Sequence, residues 1–287
     1  MLKRIFFSSI GVFLLYNIYL WIFPLKPGNH QYASWVKENH AKAEMYLRAD
    51  YTPSTVLCGS SLTSILNPWL ADSIFEFSTT GGSWLTGFEI IRKTNKFPKR
   101  IGIELNFILR TEDTYITNQV LHKVWRPLHH YIPALRAYHQ PLDLLSRPAH
   151  EKDIIQTVEQ MTFDTVNPMS KTYALVLPEK AKEYQTPYDS LLLKEMTDYI
   201  IELKSEAQQH NCELFLYLMP MDTVLLKSNR IQVLLNEIES LGLPVCLPGL
   251  NRKWQTSDSE HLRPLDANLF AKSLVQWLNQ NPINHER

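Results

Sequence analysis

The chain carries five residues whose types and order suit acyl-transfer chemistry. Ser61 follows the apolar run STVLCG, Gly82 lies in a glycine pair after IFEFSTT, and Asn106 ends the run IGIELN. Asp258 and His261 stand three residues apart near the C-terminus. A serine hydroxyl needs a base to attack a carbonyl, and a histidine base needs a carboxylate to fix its tautomer. Glycine N–H groups and an asparagine amide can stabilise the resulting oxyanion.

The pattern of strands and helices places these residues at the ends of buried strands. Short apolar runs alternate with amphipathic helical segments, which is typical of a mainly parallel sheet with helices on both faces. A serine at a strand-to-helix turn is exposed beside helical N–H groups, where a carbonyl substrate can reach it. We therefore predict an α/β three-layer sandwich with about five strands. The predicted strands are STVLCGSS, IFEFSTT, RIGIELNFI, CELFLYLMP and LPVCL, and the predicted helices are 84–97, 189–210, 222–242 and 264–279.

Read in chain order, the polar blocks resemble those of the SGNH (GDSL-type) hydrolase family. GSSL takes the place of the family's GDSL block, so Ser61 falls at the nucleophile position and Ser60 replaces the aspartate. That aspartate is not the acid of the catalytic triad in the family. Asp258 and His261 match the family's D-x-x-H block. The resemblance implies a flavodoxin-like SGNH fold and a serine acyl-enzyme mechanism with Ser61, His261 and Asp258 as the catalytic residues.

The same resemblance implies an oxyanion hole, and the sequence also offers a candidate residue for substrate binding. Gly82, or alternatively Gly81, takes the position of the oxyanion glycine, and Asn106 takes that of the block asparagine. IELN, which ends at Asn106, departs from the family's G-x-N-D pattern. Arg110, four residues further on, is a candidate to bind an anionic substrate group, with a surface salt bridge as the alternative. The matching blocks span about 55–280 of the chain.

Each catalytic assignment has a structural alternative. Ser61 could serve only as a helix cap, because serine is a preferred N-cap residue. Asp258 could cap a loop, in which case Glu260 or Asp266 would be the alternative carboxylates. His261 could be a surface histidine unrelated to the serine.

An uncharged apolar segment at 5–24 predicts a membrane anchor. About 20 apolar residues in a helix cover a hydrocarbon core of about 30 Å. Lys3 and Arg4 precede the segment, and the positive-inside tendency keeps them cytoplasmic and sends the rest of the chain across. Asn17 is one of its few polar residues, and Trp21 suits an interfacial position. A cleaved signal peptide is the alternative, although no A-x-A cleavage site follows the segment.

The domain organisation follows from this segment and from a break in the strand–helix alternation. We predict an anchor at 1–28, a helical stalk at 29–52 and an α/β domain at 53–287, with a helical insertion at about 112–185 that overhangs the crevice at the strand ends. The insertion is rich in proline, aromatic residues and histidine. Its histidines have irregular spacing and no carboxylate pattern, so we predict packing or solvation and no metal site. They are His122, His129, His130, His139 and His150.

Composition excludes several classes of protein. The 287 residues balance 29 Lys+Arg against 29 Asp+Glu, so no global field attracts nucleic acid. Hydrophobic residues make up 45%, which fits a folded chain. The three cysteines lack metal-ligand spacing, which argues against a zinc module or a disulfide scaffold. No cofactor is expected.

Together, the anchor and the resemblance imply a substrate. Membrane-anchored members of the family add or remove acyl groups, acetyl above all, on polysaccharides of the bacterial cell envelope. We therefore expect an O-acyltransferase or esterase on the periplasmic or extracellular side of the bacterial inner membrane, with an envelope glycan or acyl donor as its partner. Some members work with a multi-spanning membrane O-acyltransferase, so such a protein is a candidate partner.

Two other functions remain open from the sequence. Ser60 and the altered asparagine block are compatible with a non-catalytic accessory subunit of a membrane acyltransferase or glycan-export complex. A lipase or thioesterase acting on lipids is the third alternative, and it would need a broad apolar pocket.

Overall fold

A computed structural model describes residues 1–23, 35–49, 52–139, 171–247, 249–250 and 252–282. The chain divides into two compact units, of which the first comprises 1–50 and 114–157 and the second comprises 51–113 and 158–287. The helices are, in chain order, α1 (Leu2–Ile22), α2 (Trp35–Arg48), α3 (Ser61–Ser64), α4 (Trp84–Thr94), α5 (Thr114–Val120), α6 (Trp125–Tyr131), α7 (Lys171–Gln185), α8 (Ser190–Gln209), α9 (Thr223–Leu226), α10 (Asn229–Glu239) and α11 (Pro264–Gln280).

A five-stranded, all-parallel sheet forms the centre of the second unit. Its strand order is β2-β1-β3-β4-β5. Every residue of β1 and of β3 is buried, which explains why the strands read as continuous apolar runs without alternation. The structure confirms the predicted α/β fold and its five strands. They are β1 (Thr55–Gly59), β2 (Ile74–Ser78), β3 (Arg100–Glu104), β4 (Glu213–Tyr217) and β5 (Val245–Cys246).

The strand register brings the polar blocks to one edge of the sheet. Gly59 pairs with Ser78 at the ends of β1 and β2, and Glu104 pairs with Tyr217 at the ends of β3 and β4. Because the strands are parallel, the residues that follow them lie along the same edge. Ligand crevices in open parallel sheets form at this edge.

Three of the four predicted helices in the second unit are confirmed, and one is wrong. The segments 84–97, 189–210 and 264–279 correspond to α4, α8 and α11. The single helix predicted over 222–242 is two helices, α9 and α10. The break arises because Asp222 and Ser228 each accept a hydrogen bond from a backbone N–H at the start of a new helix, at 2.8 Å from Val224 and 3.5 Å from Ile231.

The first unit consists of α1, α2, α5 and α6 in the part that the structure describes. Helix α1 is long and apolar enough to act as a membrane anchor or a signal sequence. Helix α2 lies within the predicted stalk. The predicted insertion at 112–185 is split between the two units. Its described part from 114 to 139 is in the first unit with α1 and α2, and α7 is in the second unit with the sheet. His150 lies outside the described residues.

Candidate active site

The structure brings Ser61, His261 and Asp258 together. His261 Nε2 lies 2.9 Å from Ser61 Oγ, although the two residues are 200 positions apart in sequence. On the other side of the ring, His261 Nδ1 lies 2.7 Å from Asp258 Oδ2. About a third of the His261 side chain is exposed, so a substrate can approach the pair. The arrangement is that of a nucleophile, a base and an orienting carboxylate.

Hydrogen-bond chemistry fixes the tautomer of His261. An ionised carboxylate only accepts, so Nδ1 carries the proton that points to Asp258, and Nε2 is left to accept from the Ser61 hydroxyl. The hydrogen bond to Asp258 raises the pKa of His261 above its ordinary value, and burial only partly opposes this. Burial alone would raise the pKa of Asp258, but the hydrogen bonds from His261 outweigh it and lower the pKa to about 2. The carboxylate is therefore ionised at neutral pH.

A tight turn over 258–261 aims the two side chains at each other. Asp258 Oδ1 accepts the backbone N–H of His261 at 2.8 Å and that of Glu260 at 3.2 Å. Such a loop is closed by the aspartate side chain itself. Ser259 adopts a left-handed backbone conformation at φ 81°, which is unfavourable for a residue with a Cβ. The turn thus brings the Asp258 carboxylate and the His261 imidazole together across three positions, at the expense of an unfavourable backbone conformation at Ser259.

Ser61 lies at the first position of α3, directly after β1. The hydroxyl of Ser60 caps this helix by accepting the Leu62 N–H at 3.2 Å. The Ser61 N–H belongs to the first turn, where backbone N–H groups lack acceptors within the helix, so it is a candidate oxyanion donor. Ser60, which stands where the SGNH family has an aspartate, is only 1% exposed. Its capping bond stabilises the turn at 59–61 between β1 and α3, which we call the nucleophile turn.

A buried carboxylate, Glu104, lies beneath the nucleophile turn at the end of β3. Its two oxygens accept the Ser60 N–H at 2.8 Å and the Ser60 hydroxyl at 2.7 Å. The Thr63 hydroxyl donates to it at 2.5 Å and lies 2.7 Å from the Tyr217 hydroxyl. Burial raises the pKa of Glu104, and the hydrogen bonds from Thr63 and Ser60 partly offset that rise.

Glycine at position 59 is what allows this close approach. A Cβ there would lie 2.2 Å from Thr63 Oγ1 and 2.6 Å from Glu104 Oε2, well inside contact distance. The glycine therefore lets β1 pass directly over the carboxylate before the chain turns into α3. Glu104 thus bonds to Ser60 and Thr63, the residues that stand on either side of Ser61 in the chain.

Replacing Glu104 by glutamine is expected to destabilise the protein by about 1–3 kcal/mol. The amide keeps the size of the side chain but has one accepting oxygen in place of two, so the Ser60 hydroxyl proton loses its buried acceptor. Urea unfolding of the full-length protein in detergent measures the loss. Asp198→Asn is the control, because its exposed ion pair with Lys194 at 3.1 Å is worth at most about 1 kcal/mol. Equal stability losses in both variants would contradict the role assigned to Glu104.

Helix α7 supports the turn over 258–261 from its other side. The Tyr184 hydroxyl donates to Glu260 Oε1 at 2.7 Å, and Lys180 Nζ lies 3.2 Å from Glu260 Oε2. The Tyr173 hydroxyl donates to the Asp222 carboxylate, and the Asp222 N–H donates to the Ser259 carbonyl at 2.8 Å. Glu260, an alternative triad acid in the sequence, is thus bonded to α7 and anchors the turn that carries His261.

Replacing Tyr184 by phenylalanine is expected to lower kcat for ester cleavage about five- to tenfold. The change removes one buried hydrogen bond to a carboxylate, worth about 1.5–3 kcal/mol, and part of that loss should appear as misplacement of His261. Steady-state hydrolysis of a soluble ester measures it. Tyr199→Phe removes an equivalent bond to Glu89 at 2.9 Å on α4 and should leave kcat unchanged. A normal kcat in Tyr184→Phe would show that α7 does not position the turn.

Gly82 and Arg110 are neighbours at the same edge of the sheet. The Gly82 N–H donates to the Thr79 carbonyl at 2.9 Å and closes a turn, in which Gly81 has a positive φ of 76°. The Gly82 carbonyl accepts from Arg110 Nη1 at 3.3 Å. The exposed guanidinium of Arg110 lies over the Phe107 ring, 3.6 Å from its centroid, and its charge helps to oppose the rise that burial causes in the pKa of Glu104. A cation is therefore available close to the nucleophile turn.

The structure places Asn106 at the sheet edge but commits its amide to the protein. Asn106 Nδ2 donates to the Met219 carbonyl at 3.0 Å, and the Met219 N–H donates to Asn106 Oδ1 at 2.7 Å. The side chain is fully buried and ties the end of β3 to the chain after β4. The Tyr188 hydroxyl adds a bond to the Asn106 carbonyl at 2.9 Å. The oxyanion roles of Asn106 and Gly82 stay predictions.

The residues that the sequence did not reveal are those that hold the two turns in place, the one before α3 and the one over 258–261. Glu104 had a visible signal, because a carboxylate in the apolar run IGIEL is costly unless it is bonded or protonated. Tyr184 and Lys180 gave no comparable signal. Their contacts with Glu260 join positions about 80 residues apart, and no local pattern predicts such a pairing.

Comparisons with known proteins add no family to this geometry. No family model, no curated protein and no solved structure matches the chain.

Proposed function

We propose that the protein is a membrane-anchored, extracytoplasmic serine O-acyltransferase or esterase with an SGNH-like three-layer fold. It acts on a cell-envelope polysaccharide, with acetyl as the expected acyl group. The observation that carries the proposal is the continuous hydrogen-bonded series from Ser61 Oγ through both nitrogens of His261 to Asp258. The apolar helix α1 supports a membrane location, and Lys3 and Arg4 before its uncharged stretch support an outward-facing catalytic unit.

The first half of the reaction forms an acyl-enzyme. Ser61 Oγ attacks the acyl carbonyl carbon while its proton passes to His261 Nε2. The resulting imidazolium is stabilised by the ionised Asp258, and the oxyanion is stabilised by the Ser61 N–H. When the tetrahedral intermediate collapses, the bond to the leaving oxygen breaks and His261 returns its proton to that oxygen.

The second half transfers the acyl group to an acceptor. His261 removes a proton from water or from a sugar hydroxyl, whose oxygen attacks the Ser61 ester carbonyl. Cleavage of the ester bond then restores the Ser61 hydroxyl with the proton held by His261. Water as acceptor gives hydrolysis, and a sugar hydroxyl gives transfer. Arg110 is the group we assign to an anionic part of the substrate.

Acyl content of the envelope glycans, measured with the wild-type gene and with a Ser61→Ala allele, tests the proposal. A gain of acyl groups in the mutant identifies an esterase, and a loss identifies a transferase. Unchanged acyl content in a strain that expresses the folded mutant protein would contradict the proposed substrate.

A non-catalytic accessory subunit is the second candidate. The observation that favours it is that both the Gly82 N–H and the Asn106 amide are bonded within the protein. Such a protein would dock onto a multi-spanning membrane acyltransferase. Hydrolysis of p-nitrophenyl acetate that depends on both Ser61 and His261 would exclude this candidate.

A further inference from the structure

The bend between α7 and α8, residues 183–189, carries two tyrosines that bond to two different parts of the candidate active site. We call this bend the α7–α8 corner. The Tyr184 hydroxyl donates to Glu260 Oε1 at 2.7 Å, in the turn that carries the base. The Tyr188 hydroxyl donates to the Asn106 carbonyl at 2.9 Å, in the chain just after β3. The position of the corner therefore decides where both hydroxyl groups lie.

Arg230, in the first turn of α10, binds this corner with all three of its guanidinium nitrogens. Nη1 donates to Glu183 Oε1 at 2.8 Å, and Nη2 donates to the Glu183 carbonyl at 2.8 Å. Nε donates to the Thr186 carbonyl at 3.0 Å. The neighbouring Asn229 adds a bond from Nδ2 to the Gln185 carbonyl at 3.3 Å. A guanidinium group presents its donors in a rigid plane, so three bonds to one bend fix the orientation of that bend.

The same guanidinium group lies over the rings of both tyrosines. Arg230 Cζ is 4.9 Å from the centroid of the Tyr184 ring and 5.3 Å from that of the Tyr188 ring. A cation over the face of an aromatic ring is attracted to it, and the attraction is screened less where the cation is withdrawn from water. The Arg230 side chain is only 16% exposed. Arg230 therefore holds the backbone of the corner and also the two side chains that reach the site.

A shared cation, Lys180, joins the corner to the turn over 258–261. Its Nζ lies 3.4 Å from Glu183 Oε2 and 3.2 Å from Glu260 Oε2. Burial alone would raise the pKa of Glu183, but the hydrogen bond from Arg230 and the charges of Lys180 and Arg230 lower it. Because Arg230 compensates the Glu183 carboxylate, Lys180 is left to compensate Glu260. Without the arginine, the two carboxylates would compete for one lysine.

We propose that Arg230 is a positioning residue, which fixes the α7–α8 corner so that the corner holds the base and the end of β3 in register. Through Tyr184 and Lys180 it holds the turn over 258–261, from which His261 projects. Through Tyr188 it holds the chain just after β3. The effect of Arg230 on catalysis rests on the proposed function, whereas its effect on the turn does not.

Steady-state hydrolysis of a soluble ester by the full-length protein in detergent tests the effect on catalysis. Arg230→Gln should lower kcat about tenfold, because a misplaced base slows the chemical step. KM should change less than about twofold, because the groups that bind the substrate are untouched. Arg230→Lys keeps the charge and can remake part of the bonding, so it should recover part of kcat. An unchanged kcat in Arg230→Gln, or a loss that lies entirely in KM, would overturn the proposal.

Arg100→Gln is the matched control, because Arg100 makes bonds of the same kinds at the other end of the sheet. At the start of β3 it donates to the Glu213 carboxylate at 2.8 Å, to the Leu278 carbonyl at 3.0 Å and to the Asn281 carbonyl. Both arginine variants should unfold at lower urea concentration than the wild type, but Arg100→Gln should keep kcat within about twofold. Equal losses of kcat in the two variants would overturn the positioning role.

Hydrogen exchange measured by mass spectrometry follows the turn without any need for activity. The backbone N–H groups of Glu260 and His261 donate to Asp258 Oδ1 at 3.2 Å and 2.8 Å, so their exchange reports opening of the turn. Exchange in the peptide that contains them should be about tenfold faster in Arg230→Gln and unchanged in Arg100→Gln. Exchange in Arg230→Gln as slow as in the wild type would overturn the proposal. Faster exchange in a protein whose wild type cleaves no ester would support the hold of Arg230 on the turn and contradict only the proposed function.

Discussion

Replacing Ser61 by alanine is expected to lower the rate of ester cleavage about 10⁴-fold or more. Without the hydroxyl no acyl-enzyme forms, and only transition-state stabilisation by the remaining donors and by substrate binding is left. The change removes one oxygen from a partly exposed position at the start of α3, so the fold should be unaffected. Hydrolysis of p-nitrophenyl acetate by purified full-length protein measures the effect.

Ser64→Ala is the matched control for this variant. Ser64 lies on the same short helix, and its hydroxyl donates to the Ser61 carbonyl at 2.8 Å. We expect at most a few-fold change in rate from its loss. If Ser61→Ala kept more than a tenth of the wild-type activity, or if the two variants behaved alike, Ser61 could not be the nucleophile.

Replacing Asp258 by asparagine is expected to lower kcat/KM about 10³- to 10⁴-fold at neutral pH. The amide can donate to His261 Nδ1 and so favours the tautomer that carries its proton on Nε2, which cannot accept the proton of Ser61. The imidazolium that forms during attack also loses its countercharge. Asp198→Asn, which removes an exposed carboxylate paired with Lys194 on α8, is the control and should leave the rate unchanged.

The pH dependence of kcat/KM provides a second test of the hydrogen bond between Asp258 and His261. His261 acts as a base only when neutral, so kcat/KM should fall as pH decreases through its pKa. Because the bond to Asp258 raises that pKa, the midpoint of the acid limb should lie above about 6.5, the ordinary value for histidine. In Asp258→Asn the residual activity should keep its acid limb, with the midpoint moved to lower pH. An unmoved midpoint would mean that the carboxylate does not act on the histidine.

The sheet and the placement of Ser61, Asp258 and His261 at strand ends and in turns could be predicted from sequence, because these signals are local. Apolar runs mark the strands, and parallel strands bring their following residues to one edge whatever the details of packing. The spacing of Asp258 and His261 fits a turn closed by the aspartate side chain. The contact between Ser61 and His261 spans 200 positions, and its prediction came from the order of the blocks that resemble those of the SGNH family.

The supporting structure could not be predicted, because it depends on long-range side-chain pairing. Ser60 suggested a lost carboxylate at the nucleophile turn, whereas the structure has Glu104 from a neighbouring strand bonded to that turn. The break between α9 and α10 depends on whether Ser228 caps a helix or continues one, and both fit the local sequence. The hydrogen bonds that join α1 to the chain at Ala134 and His139 link positions more than 100 apart in sequence, and no local pattern predicts such contacts.

Active-site labelling of the full-length protein with a fluorophosphonate is the most direct test of Ser61 as an activated nucleophile. Digestion and mass spectrometry should place the phosphonyl group on the peptide that contains Ser61, with labelling abolished in Ser61→Ala and strongly slowed when His261 is replaced by alanine. Ser64→Ala should label like the wild type. Labelling that persists in Ser61→Ala, or that maps to another serine, would contradict the mechanism.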